Sequence, residues 1–173
     1  MRLHTFILGT FSTALLAACS GADGMGPRVT KLQDAVAQAK ISLGQSVETG
    51  EASVTDGKAV KAALIVDAAP VYSVGTLGGG TLHDVRLDIV TGAVTASNDL
   101  GASTDPCPGS IPVADAIAIA EAHMNGTSVA VQPDDDDRCL REIQVLVGDV
   151  LWEVKEARDG VVLETEKSDA DGD

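Results

Sequence analysis

The chain has 173 residues, with 12 lysine and arginine residues against 26 aspartate and glutamate residues, and a formal net charge of −14. So acidic a chain is repelled by nucleic acid and by anionic lipid head groups, so neither is an expected partner of the polypeptide. Its length suits one domain or two small ones.

The first 18 residues have the pattern of a secretory signal. Arg2 supplies a positive charge, residues 6–16 form an apolar run too short to span a bilayer, and two alanines precede Cys19. The sequence LAAC that ends at Cys19 resembles the bacterial lipoprotein box, in which the cysteine becomes the lipidated first residue. An ordinary signal followed by a stray cysteine is the alternative.

Lipidation of Cys19 would hold the protein in the cell envelope by its acyl chains, so the membrane is a partner only through the lipid. Ser20 favours the periplasmic face of the outer membrane if the cell is Gram-negative. Loss of the signal removes Arg2 and no acid, so the mature charge is 11 − 26 = −15. Residues 19–30 are small and polar, which predicts a flexible tether.

Two cysteines remain after lipidation, Cys107 and Cys139. An exported compartment is oxidising, and the chain has no Cys-x-x-Cys motif for redox or zinc chemistry. We therefore predict a disulfide between them, worth about 3–4 kcal/mol in the loop-entropy treatment.

The chain contains an internal repeat. Equivalent residues lie 69 positions apart, and 68 apart after a single deletion. The pairs are Gly57 and Gly126, Val60 and Val129, Val74 and Ile143, Gly79 and Gly148, Val85 and Val154, then Gly92 and Gly160. A match over some thirty positions indicates a duplication.

The first copy reads as a helix followed by strands. Apolar residues at helical spacing predict a helix over 31–43, which either continues towards residue 54 or gives way to a loop. Strands are predicted at 59–66, 71–77, 82–89 and 93–96, and three glycines form a hairpin between the second and third.

The second copy follows a linker of turn formers at 97–110. It has a predicted helix over 112–124 that ends at Asn125-Gly126. The predicted strands that follow are 127–132, 139–147, 150–157 and 161–166. The tail at 167–173 is acidic and expected to be disordered.

Three positions of the second copy depart from the first. Arg141 stands where the first copy has Tyr72, Glu156 stands where it has Leu87, and Ala157 stands where it has Asp88. Strand alternation directs Val85, Leu87, Trp152 and Val154 towards the helices. Because Glu156 shares that register, we expect it to lie near the edge of the sheet.

Two short motifs of the first copy, Val71–Val74 (VYSV) and Val85–Val94 (VRLDIVTGAV), have counterparts in the second. The counterparts are Arg141–Ile143, Trp152–Lys155 and Asp159–Val162, and they follow Asp115–Ala118 in the helix. These motifs and the order of the elements resemble the PepSY domain. The resemblance covers nearly all of the mature chain.

The resemblance implies an α+β fold of two tandem small domains, each with one helix packed on a three- to four-stranded antiparallel sheet. The domains would be 31–96 and 111–166, joined by the linker 97–110. The family occurs in propeptides of secreted metallopeptidases and in envelope proteins associated with holding or inhibiting peptidases. It is not catalytic and fixes no functional residues.

Four adjacent carboxylates form a candidate metal site at Asp134, Asp135, Asp136 and Asp137. They could hold Ca²⁺, but calcium loops usually space their ligands at alternate positions, and a plain run is more often a solvated loop. The sequence has no His-Glu-x-x-His and no Gly-x-Ser-x-Gly motif. We therefore expect no enzyme activity and no cofactor other than Ca²⁺.

The leading hypothesis is a non-catalytic, lipid-anchored envelope protein that binds another envelope protein, with a peptidase as one candidate. Binding would use an exposed sheet face or an edge strand, and no partner-binding residue is predicted. The alternative is an acidic cation-binding or structural envelope lipoprotein.

Overall fold

A computed structural model describes residues 27–168. Its helices are α1 (Pro27–Gln38), α2 (Leu43–Ala52) and α3 (Val113–Met124). Its strands are β1 (Lys58–Ile65), β2 (Val71–Gly78), β3 (Thr81–Asp88), β4 (Val94–Ala102), β5 (Thr127–Pro133), β6 (Arg141–Val147), β7 (Val150–Glu156) and β8 (Val162–Lys167). Within this range, each helix is too short or too polar to cross a bilayer.

All eight strands form a single antiparallel sheet in the order β4-β3-β2-β1-β5-β6-β7-β8. The prediction of two tandem domains with separate small sheets is therefore wrong, although the fold remains α+β. The copies join where Ala62 pairs with Val131 and Ala63 with Ala130. Two separate sheets would leave the edges of β1 and β5 unpaired, and their union satisfies those backbone groups.

The repeat is visible in the strand registers. Val74 pairs with Val85 in the first half, and Ile143 pairs with Val154 in the second, each 69 residues further on. The residues of the central pair, Ala62 and Val131, are themselves 69 apart. A local pseudo-two-fold axis that relates the paired strands of the two halves therefore passes between these two residues.

The irregularities of the sheet repeat as well. A register shift in β1 between Ala59 and Lys61 recurs in β5 between Ser128 and Ala130. In both halves a helix carboxylate stabilises this bulge: Glu51 accepts a hydrogen bond from Ala59 N at 2.8 Å, and Glu121 accepts one from Ser128 N at 2.9 Å.

The predicted helix over 31–43 matches α1 as far as Gln38, but the repeated helix of the first half is α2, a separate helix. The two alternatives for the following residues, a continuous helix towards residue 54 and a loop, are therefore both wrong. The chain breaks after Gln38, and Ser42 starts α2 with a capping box formed with Gln45. The buried residues of α2 and α3 are 70 positions apart. They are Leu43, Ser46, Val47 and Gly50 in α2, and Val113, Ala116, Ile117 and Ala120 in α3.

Helix α1 is an addition to the first half, and it starts at Pro27, inside the segment predicted as a tether. It buries Val29, Leu32 and Ala35. Gln33 donates a hydrogen bond to the carbonyl of Gly148, at 2.8 Å. Helix α1 therefore connects the start of the first half to the β6–β7 hairpin of the second.

The inner face of the sheet, against α2 and α3, carries the core. Val85, Leu87 and Val154 are fully buried there as expected, while Trp152 is only partly buried. Glu156 is also fully buried, so the expectation that it lies near the edge is wrong. Strand β8 pairs with β7 beyond it and covers this position.

Candidate binding edges and a buried charged pair

The two ends of the sheet are strands β4 and β8, each paired on one side only in the described part of the chain. Exposed large apolar side chains of residues 27–168 collect at these edges. They are Val90, Val94, Leu100, Val161 and Leu163, each 42–56% exposed. All five lie on the edge strands or in the turns that lead into them.

Strand β4 is exposed on both faces as well as along its edge. Eight of its nine residues are exposed and Ala96 is half-buried. Its only charged residue is Asp99, whose carboxylate accepts a hydrogen bond from Gly101 N at 2.7 Å. A long and nearly uncharged edge strand of this kind is open to pairing with another chain.

The turn before β4 is fixed by the Asp-x-x-Thr-Gly part of the PepSY-like motif. Asp88 accepts hydrogen bonds from the backbone of Val90 and Thr91 and from the Thr91 hydroxyl, at 2.7–3.0 Å. These bonds lower the pKa of Asp88. Gly92 follows with φ of 71°, which glycine adopts without strain. The motif therefore sets the direction in which β4 leaves β3.

Strand β8 is better protected. Three of its six residues are charged, Glu164, Glu166 and Lys167. Glu166 stands opposite Glu153 of β7. Burial raises the pKa of Glu153, and Glu142 and Glu166 raise it further. Charges on an edge strand oppose pairing, so β4 is the more accessible of the two edges.

Two of the departures of the second copy form a cross-strand pair on the inner face. Arg141 pairs in register with Glu156, as Tyr72 pairs with Leu87 in the first half. Arg141 keeps the hydrogen bond that Tyr72 makes in the first half. The Tyr72 hydroxyl donates to the carbonyl of Ile41 at 2.9 Å. Arg141 Nη2 donates to the equivalent carbonyl of Ile111 at 2.5 Å.

The partner of that arginine is unusual. Glu156 has no exposed surface, and neither carboxylate oxygen has a hydrogen-bond partner in the described part of the chain. Arg141 Nη1 is buried without a partner too. Burial raises the pKa of Glu156 to about 7; Arg141 opposes this shift and Asp159 adds to it.

A small cavity lies beside Arg141, where the two halves meet the connector 103–112. It is lined in part by Lys58, Asp105 and the disulfide, and its volume of about 20 Å³ admits one water-sized molecule. Lys58 of the first half is paired with Asp105 at 2.6 Å. The cavity is thus part of the packing between the halves.

Cys107 and Cys139 form the predicted disulfide, with Cα atoms 4.9 Å apart. It ties the connector to the loop between β5 and β6. The third predicted cysteine site, Cys19, lies outside the described residues, as does the signal.

The predicted calcium loop, Asp134–Asp137, lies between β5 and β6 and is braced internally. Asp134 is buried; its Oδ1 accepts from the backbone of Asp136 and Asp137, and its Oδ2 contacts Lys155 Nζ at 2.8 Å. The Lys155 and backbone hydrogen bonds lower the pKa of Asp134 to about 2. Within residues 27–168, no three metal-ligating side chains converge. Binding of Ca²⁺ stays a prediction.

Sequence reasoning predicted only the start of the edge strand β4, at 93–96, and missed the buried pair. The segment of β4 after residue 96 is rich in turn formers and was assigned to the linker 97–110. Both members of the pair were noted as departures from the repeat. The offset of the repeat could have connected them. Arg141 and Glu156 each lie 69 residues after Tyr72 and Leu87, which pair across β2 and β3, so both members of one cross-strand pair are replaced.

No family model and no curated protein matches the chain. Among solved structures, the chain is similar to a crystal structure described as "a putative lipoprotein", from Clostridium difficile, with 19% sequence identity. The similarity covers 65% of this chain and 84% of that chain, with a TM-score of 0.40. Similarity at this level does not transfer a fold or a function between proteins.

Proposed function

We propose that the protein is a non-catalytic envelope lipoprotein that binds an extended segment of another envelope protein along strand β4. The proposal rests on the length, the exposure and the low charge of that strand. It is nine residues long, exposed on both faces, and has one charge. Added strands bind through main-chain hydrogen bonds, which an open edge supplies.

The apolar side chains of the edge favour a bound strand over bare solvent. Val94 and Leu100 are 42% and 56% exposed and lie at the two ends of β4. A partner strand laid beside β4 would bring its own side chains next to them and remove part of this surface from water. Burial of apolar area is worth about 25 cal/mol per Å², and complements the backbone bonds.

The net negative charge of the chain favours a partner segment that is positively charged. A mature charge of −15 repels other acidic proteins and disfavours self-association, so a segment rich in lysine or arginine fits best. The resemblance of both halves to PepSY domains makes a peptidase, or the pro-form of one, the first partner to examine. The protein would then hold or inhibit that enzyme without chemistry of its own.

The anchor rests on the sequence around Cys19. Lipidation there would keep the described fold at the membrane surface, close to envelope partners. Replacement Cys19→Ser is expected to move the protein from the detergent phase to the aqueous phase in a detergent partition experiment. Equal partition of both forms would contradict the anchor without bearing on β4.

Affinity capture from envelope extract tests the binding surface. The bait is the lipid-free mature chain, compared with Val94→Lys/Leu100→Lys on β4 and with the matched control Val161→Lys/Leu163→Lys at the β8 edge. All four side chains are exposed, so the fold should survive. Edge lysines oppose strand pairing.

We expect a specific partner on the wild type and on the β8 control, and its loss from the β4 variant. A partner that all three baits retain equally would refute the β4 assignment. Inhibition kinetics then decide whether a captured peptidase is inhibited or only held.

A further inference from the structure

The second half buries a carboxyl group that its packing does not satisfy. Glu156 has no exposed surface and no hydrogen-bond partner, and it forms none of the ion pairs found within residues 27–168. An ionised carboxylate in such a place loses its hydration without recovering it from the protein. A protonated carboxyl loses much less.

The groups around Glu156 are mostly apolar. From the following turn, a Cβ placed on Gly160 would lie 3.6 Å from Glu156 Oε1 and 2.8 Å from the side chain of Ile119 of α3. The same point is 3.2 Å from Ile111 of the connector. From β8, the residue in register with Glu156 is Val162.

Two charged groups face this carboxyl from the elements packed around it. Arg141 does so from β6 and Asp159 from the β7–β8 turn. Arg141 Nη2 donates to the Ser110 hydroxyl and to the carbonyl of Ile111. Burial lowers the pKa of Arg141, and Glu156 opposes that shift more than Asp105 does. The hydrogen bonds of the arginine therefore go to the connector, and it acts on Glu156 through its charge alone.

Two titratable groups of α3, Glu121 and His123, have partners elsewhere. Glu121 accepts from Ser128 N, and His123 lies 3.5 Å from Thr165. The arginine and the aspartate have opposite effects on Glu156, and burial is the larger influence on its pKa, which it raises to about 7.

The first half supplies an internal reference. Leu87 fills the position of Glu156 there, fully buried, and the equivalent register shift lies immediately before it, between Arg86 and Leu87, where β3 pairs with β4. An apolar side chain therefore suits this site. A neutral carboxyl is the form of glutamate that comes nearest to it.

We propose that Glu156 is a proton-controlled latch: protonated, it holds strand β8 against β7, and on loss of its proton to water it favours release of β8. The register shift between Lys155 and Glu156 places the group where β8 begins to pair. Separation of this end would bring water to the carboxylate with the least disturbance of the core. Release would expose the edge of β7 in place of the charged edge of β8.

The sign of the effect follows from linkage. The folded state binds the proton more tightly than the open state, in which the pKa returns to about 4.5. The closed form is therefore favoured fully below about pH 4.5, and the preference is lost as the pH rises through about 7. Between pH 5.5 and 8.5 the opening equilibrium should rise about 30-fold.

Carbon-detected NMR titration of the Glu156 side-chain carboxyl in the mature, lipid-free protein tests the proposal directly. A midpoint near 7 is expected. A midpoint below about 5 would overturn the proposal, because the ionised group would then be accommodated in the closed form. This measurement needs no variant.

Hydrogen exchange tests the link to β8. After correction for intrinsic rates, protection of the β8 amides should fall about 30-fold between pH 5.5 and 8.5. The matched control is β4, whose amides should change far less because Leu87 does not titrate. The variant Glu156→Gln should abolish the change in β8, and a fall that persists in it, or that is equal in β4, would overturn the proposal.

Discussion

Removal of the disulfide has an effect that can be worked out from the structure. The sequence separation between Cys107 and Cys139 is 32 residues. The loop-entropy relation then gives about −12.4 cal/mol/K, or about 3.7 kcal/mol at 25 °C, as the stability lost when both cysteines become serine.

The native loops should survive this change with little rearrangement. Cys107 N donates to Asp105 and Cys139 N donates to Asp137, both at 3.0 Å, and neither bond depends on the sulfur atoms. The lost stability should therefore arise mainly in the unfolded state, which becomes less constrained.

Urea unfolding followed by circular dichroism measures the effect. The comparison is the oxidised wild type, Cys107→Ser/Cys139→Ser, and the wild type under reducing conditions as a control. The variant and the reduced wild type should lose similar stability. A loss below about 1 kcal/mol in both would refute the entropy argument for this loop.

Three further predictions concern single side chains. Glu121→Ala removes the acceptor of Ser128 N and should lower the free energy of unfolding by about 1–3 kcal/mol in the same urea assay. Gly126→Ala places a Cβ 2.7 Å from a backbone oxygen and should cost about 1–3 kcal/mol, whereas an unchanged midpoint would contradict the close approach. Asp134 has a lowered pKa, so its contribution to the free energy of unfolding is present above about pH 4 and is lost as the pH falls towards 2. The variant Asp134→Asn should therefore show a smaller loss of stability over this pH range in the same assay.

The strands were largely predictable because local patterns set them. Alternating apolar residues and turn glycines placed β2 and β3 within one residue of the observed bounds. Their register follows from the hairpin between Gly78 and Thr81. Such contacts are close in sequence and depend little on the rest of the chain.

The union of the two sheets was not predictable in the same way. β1 and β5 are each buried on the helix side, and that pattern is the same for an edge strand and a central one. The pairing of Ala62 with Val131 joins residues far apart in sequence. The two strands pair because each would otherwise leave a row of backbone N–H and C=O groups unpaired. The apolar pattern of a sequence does not show which strands would be left at an edge.

The helix error has a similar cause. Residues 31–43 have apolar spacing because α1 also packs on the protein, with Leu32 and Ala35 buried. Periodicity does not say which of two successive amphipathic segments is the repeated one. The capping box at Ser42 is the local signal that separates them.

The candidate site was only partly accessible from sequence. The disulfide followed from the number of cysteines and the expectation of an exported, oxidising compartment. The buried position of Glu156 did not, because a carboxylate in an acidic chain is normally solvated and its neighbour Arg141 looked like a separate substitution. Only their pairing across β6 and β7 shows that the two positions form one feature.

Hydrogen exchange of the complex with its captured partner shows whether the partner adds a strand to β4. We expect strong new protection of those backbone amides of residues 94–102 that point away from β3, with β8 unchanged. New protection confined to β8 or to the helices, with β4 exchanging as in the free protein, would contradict the addition of a strand to β4.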